Sequence, residues 1–310
     1  MATEAVGRRS HGLPSGLGGV LAALLADPEV AKAQQRANDP DLLRRLQKAW
    51  VRGQLRSQDV EKAQGTPQGK TLAQHGPGRA ALSVFLAVAL AEERQFGRVA
   101  QVLGPAEQDP RTKASAAAAS AAALKARAFE ELGEEASADV CINALEKDQA
   151  YRWLTPLFQN LEIVSANRGV MAVAAGDSRQ FEASALRFLA IHHRSVEQGF
   201  QHPMDSTLNA FRLNLQGQHE EAFQALWSYG YDQPSPDERE NWLTRAPMER
   251  ERLLEEADGQ ALEALEEFAE LVRLLAIEDP FERWDELARV ISADWPEGLS
   301  AEDAVSQGRE

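Results

Sequence analysis

The sequence predicts an all-α fold of stacked antiparallel helix pairs, a repeat-like (TPR/HEAT-like) helical domain. Three observations predict it. Alternating apolar and polar runs that would read as strands are absent, while strong helix formers dominate, as in "SAAAASAAALKARAFEEL" (residues 115–132). Pro and Gly concentrate at points where a helix should stop: Asp27-Pro28, Asp39-Pro40, Gly104-Pro105, Asp109-Pro110, "QPSP" (residues 233–236) and Trp295-Pro296. A degenerate unit also recurs, in which an Ala-rich apolar helix meets a short polar turn and a second Ala-rich helix follows.

In chain order, "GLPSGLGG" (residues 12–19) has no strand before it and reads as a flexible lead-in. Two arginines precede an apolar stretch there, which resembles a weak signal peptide. However, Leu17, Val20, Leu21, Leu24 and Leu25 share one helical face, so an amphipathic helix is expected. "GTPQGKTLAQHGPGR" (residues 65–79) reads as a long exposed loop. Four repeat units follow, at residues 85–103, 124–145, 170–189 and 208–226. Their expected turn glycines are Gly97, Gly133, Gly176 and Gly217, spaced 36, 43 and 41 residues apart. That approximates the period of stacked helix pairs.

The division expected is a helical scaffold over 1–236 and an acidic helical region over 237–310 packed on it. The net charge of −15 lies almost wholly in the second part, where 22 acids face 8 bases. No lysine follows Lys147. Leu254, Ala257, Ala261, Ala264, Leu265, Phe268, Leu271, Val272 and Leu275 are expected on one side of a helix. Glu256, Glu263, Glu267 and Glu270, with Glu266, are expected on another. Like charges at such spacing cost a helix about 0.2–0.5 kcal/mol per pair. The row reads either as a solvated face or as a docking surface for a cationic partner. The charge disfavours direct nucleic acid and anionic membrane as partners, and no apolar run is long enough to span a bilayer.

Signs of chemistry are few. No metal-binding, phosphate-loop, dinucleotide or acyl-transfer motif appears, so no catalytic residue, metal or cofactor is expected. The single cysteine, Cys141, excludes a disulfide framework and fits a reducing cytoplasm. His192, His193 and His202 cluster. Adjacent helical residues point about 100° apart and cannot readily share one ion. The expectation is structural: His192 extends the face of Phe181, Ala185 and Phe188. Asp177, followed by Gln180, reads as the capping box that starts this helix.

This capped segment resembles the immunity protein 49 family of bacterial polymorphic-toxin systems. The resemblance rests on Gly176, Asp177, Phe181, Ala185, Leu189 and His192, on "FLAVALAEERQFGRVAQVL" and on the preceding "HGPGR". It covers residues 76–103 and 170–193, about a sixth of the chain. It implies a non-enzymatic helical protein that binds and neutralises a cognate toxin in the cytoplasm. The acidic surface implies a basic toxin, of the kind that acts on nucleic acids or nucleotides. Two other classes compete with this one. A helical-repeat adaptor for a peptide or secretion component predicts a concave groove with aromatic or polar ladders. A helical enzyme predicts a bound metal or cofactor.

Overall fold

The computed structural model describes residues 21–22, 24–108, 116–148, 151–199, 204–227 and 236–294. The glycine-rich lead-in, His202 and the breaks at Asp109-Pro110, residues 233–235 and Trp295-Pro296 lie outside these. The described residues are helical with no strand, as expected.

Five helices build the N-terminal side: α1 (Pro28–Arg36), α2 (Leu42–Val51), α3 (Ser57–Gly65), α4 (Pro67–Ala73) and α5 (Gly76–Glu92). Asp27 caps α1 by accepting the Glu29 amide at 2.8 Å, with Pro28 as the first helical residue. The loop expected over residues 65–79 is instead α4 and the start of α5. Thr66 Oγ1 accepts the Gly69 amide at 3.0 Å, and each helix carries a proline in its opening turn. The buried Gly69 and Gly78 are contact points. A Cβ on Gly69 would lie 1.9 Å from the Ala63 carbonyl oxygen, and one on Gly78 would lie 2.4 Å from that of Leu72. Pro and Gly here mark helix starts and close packing. α5 is buried almost all round from Ala80 to Ala91, and α1, α2, α3 and α4 pack on it.

Four antiparallel pairs involve the next seven helices: α5 with α6 (Phe96–Gln108), α7 (Ala116–Glu131) with α8 (Glu135–Lys147), α9 (Tyr151–Ala174) with α10 (Ser178–Glu197), and α11 (Met204–Leu215) with α12 (His219–Trp227). These are the four predicted units. Their first helices also pack on one another in sequence, α5 on α7, α7 on α9 and α9 on α11, forming a shared inner layer.

One turn geometry joins all four pairs. The left-handed residue is Arg94 (φ 57°), Gly133 (75°), Gly176 (70°) or Gly217 (81°). In each case its amide reaches the carbonyl three residues back, and the next amide reaches five back. The first turn therefore sits at Arg94, and Gly97 lies inside α6. That helix also runs through Gly104-Pro105 to Gln108. The corrected period is about forty residues throughout. Asp177 caps α10, its Oδ1 accepting the Gln180 amide at 3.0 Å. The expected box is half made, because the Gln180 amide group turns to Ser184.

Between the second and third pairs lies a buried charge network. Glu130 on α7 is wholly inaccessible. It accepts from Arg187 of α10 and Arg168 of α9, both at 2.8 Å. Arg187 also reaches Asp139 of α8 at 3.0 Å. Burial disfavours the charged guanidinium, but its hydrogen bonds to Glu130 and Asp139 outweigh that and raise Arg187 above the ordinary arginine range.

The C-terminal side adds α13 (Pro236–Glu256), α14 (Ala261–Ala276) and α15 (Pro280–Asp294). α13 packs on α2, α11 and α12, α14 on α9, α10 and α11, and α15 on α14. The apolar core has two clusters that meet along α9. One is built around α5, and the other joins Ala166 and Val170 to Phe188, Leu215, Leu253 and Phe268.

Stability measurements on four variants check this architecture. Gly97→Ala should stabilise by about 0.4–1 kcal/mol, since an alanine there is helical and unobstructed. Gly176→Ala should destabilise by about 1–2 kcal/mol, since its left-handed φ penalises a Cβ. Arg187→Ala should cost about 3–5 kcal/mol in urea unfolding, because it strands the buried Glu130 carboxylate. The double variant Glu130→Leu/Arg187→Met should lose markedly less.

Candidate functional site

The predicted acidic row falls on two helices. Ala257, Asp258 and Gly259 break the expected continuous helix, with φ 50° at Asp258 and 80° at Gly259. Glu256 ends α13 and pairs with Arg94 across the fold. Glu263, Glu266, Glu267 and Glu270 share one face of α14, at spacings that place them one turn apart. Glu270 pairs with Arg273. Glu263, Glu266 and Glu267 are exposed and have no cationic partner among the described residues. Sequence thus found four carboxylates that the fold keeps together and one, Glu256, that it assigns to an internal ion pair.

The opposite face of α14 is locked. Ala261, Ala264, Leu265, Phe268 and Val272 are buried. Phe268 rests on Gly169 of α9, where a Cβ would stand 2.1 Å from its ring, and meets Phe188 edge-on at 6.3 Å. Next to it, α15 exposes two aromatics: Phe281 is 81% and Trp284 68% accessible. They stand three residues apart, among acids of the same helix. No motif in the sequence marks them.

His192 takes the structural role expected. His192 stacks on Phe188 with 6.5 Å between rings, and its Nδ1 lies 3.1 Å from Oε1 of the buried Glu162. Thr207 of α11 donates to the other oxygen at 3.0 Å. His193 is exposed. Among the described residues no group of His, Cys, Asp and Glu could hold a metal ion, and no helix is long and apolar enough to cross a membrane.

A second site was not anticipated. The inner layer faces α13 across a cleft of about 210 Å³. α13 is pinned over it by Arg245, whose guanidinium sits 4.2 Å from the Trp50 ring, donates to the Trp50 carbonyl at 2.9 Å and pairs with Glu92. Arg250 donates to the Leu215 carbonyl at 2.8 Å, and Trp242 to that of His219 at 3.1 Å. Its lining includes the rings of Trp50, Phe211, Phe223, Trp227 and Trp242. It also carries Arg127 and Glu131 of α7, Asn160 and Asn167 of α9, and the inward face of α13. That face is Asn241, Arg245, Glu249 and Arg252, at spacings of 4, 4 and 3. This polar stripe was the available sequence signal. Its partners come from helices up to two hundred residues away, so the sequence could not show what it faces.

No family model matches the chain, nor does any curated protein or solved structure.

At the edge of the cleft, His219 Nδ1 donates to Asn214 Oδ1 at 2.8 Å. Burial, with the Arg250 charge beside it, lowers its pKa. The folded state therefore resists a proton that the unfolded chain accepts. This stability is fully present above the unfolded value of about 6.5 and falls as pH drops from there through the lower folded value. His219→Asn should remove that part of the pH dependence in denaturant titrations between pH 7.5 and 5.

Proposed function

We propose that this protein works by binding another protein, as an immunity protein that neutralises a cognate toxin in the cytoplasm and not as an enzyme. One observation carries the reading: α14 and α15 present exposed carboxylates beside two exposed aromatics on a surface whose inner face is locked into the core. Aromatic side chains at the centre of an interface supply much of its affinity, and a one-signed surface speeds encounter with an oppositely charged partner. Such a surface fits a basic toxin, including one that acts on nucleic acids or nucleotides. The acids of α14 cost the helix local repulsion, and no lysines are interspersed to relieve it.

The cleft favours a second reading, a helical-repeat adaptor that takes a peptide or a secretion component. Its aromatic and amide lining has the chemistry an adaptor groove requires.

Co-expression with the toxin encoded in the neighbouring gene should rescue growth. Replacing Glu263, Glu266, Glu267 and Glu270 together by Lys should slow association at least tenfold at low salt. Trp284→Ala should raise Kd about 30-fold or more, mainly through dissociation. Rescue and binding that persist unchanged in both variants and at high salt would refute this surface.

A further inference from the structure

The cleft between α13 and the inner layer goes beyond the toxin-binding surface and has its own chemistry. The Nε atoms of Arg127, Arg245 and Arg252 and the Nδ2 of Asn241 are buried donors without a partner among the described residues. The Oδ1 of Asn167 is a buried acceptor in the same condition. All five residues line this one cleft. Buried polar atoms are almost always satisfied, so five along one cleft point to something that satisfies them.

The balance of groups defines that something. Four donors and one acceptor call for a molecule rich in acceptors with one N–H to give. The lining cations Arg127, Arg245, Arg250 and Arg252 outnumber the lining acids Glu92, Glu131 and Glu249 by one. Burial, opposed by Glu92 and reinforced by the nearby Arg127, leaves Arg245 below the ordinary arginine range. Two guanidiniums that repel each other in a poorly hydrated site favour an anion between them. The same cleft is lined by rings, with Phe211 and Phe223 buried.

We infer that the cleft binds an aromatic carboxylate carrying an adjacent amide, the chemistry shared by an N-acyl aromatic amino acid and by the last residue of a polypeptide ending in an aromatic. The carboxylate accepts from the Nε groups of Arg127 and Arg245, the pair whose charges act on each other. The amide N–H donates to Asn167 Oδ1, and the ring lies among Phe211, Phe223 and Trp242.

The test uses the full chain, with tryptophan fluorescence and calorimetry. The probes are N-acetyl-L-phenylalanine, its carboxamide, and the peptide N-acetyl-Ala-Ala-Ala-Phe. Saturable binding of the acid, at least tenfold weaker for the carboxamide, is expected. Arg127→Gln and Asn167→Asp should each weaken it at least tenfold with the melting temperature kept within a few degrees. The second change keeps the shape of the side chain but puts a negative charge beside the carboxylate. Tighter binding of the peptide than of N-acetyl-L-phenylalanine identifies a protein C-terminus as the source, and equal binding identifies a free small molecule. Absence of saturable binding for both acids overturns the inference. So does equal affinity for the carboxamide, or indifference to both folded variants. No protein partner is present in this assay, so its failure and the failure of the toxin-binding surface are distinct results.

Discussion

The buried carboxylate of Glu130 is the constraint on which the stacking depends. A wholly inaccessible charge is tolerable only if opposite charges and donors surround it. Here they come from Arg168 on α9 and Arg187 on α10, while Asp139 on α8 shares Arg187. The second and third pairs are therefore joined in one register, because a shift by a helical turn would strand a charge. The Glu162, His192 and Thr207 contact repeats the device between the third and fourth pairs, with a neutral hydroxyl in place of one guanidinium. Apolar Ala-rich faces are interchangeable in packing, whereas these polar contacts are not. They give a repetitive sequence a single stacking register.

Against the inner layer of the stacked pairs the chain places its own α13. This explains why the helix is so polar on its inward side. It meets both the glutamate and tryptophan ends of α2 and α5 and the carbonyl at the end of α11. Those contacts hold α13 over the inner layer, and a cleft lined by rings and arginines persists beneath it.

Beyond α13, the break at Asp258 and Gly259 turns the chain back so that α14 lies on α9 and α10. Gly169 makes this seat possible by leaving room for the Phe268 ring. Once α14 is fixed by its apolar face, its acids can only point outward. The acidity of the chain's last quarter thus becomes a surface on a rigid support, continued by the exposed aromatics of α15.

Much of this was present in the sequence alone. Helix class, the four pairs and the cap at Asp177 follow from periodicity and turn chemistry, which act over a few residues. The acidic face of α14 follows in the same way, from spacing on one helix. The place of His192 on the face of Phe188 follows from the same spacing. Tertiary structure decided the rest. A Gly-Pro-rich stretch became two helices because Gly69 and Gly78 are needed for close contact, which no local pattern distinguishes from a loop. Arg94, not Gly97, took the first left-handed turn, and α6 starts at Phe96. Glu256 was drawn into an ion pair with Arg94, and the Trp50, Glu92 and Arg245 cluster joined residues far apart in the chain. Local rules determine which elements form. Which charge meets which, and what cavity remains between them, depends on desolvation and contact between distant segments, and is decided only when the helices close on one another.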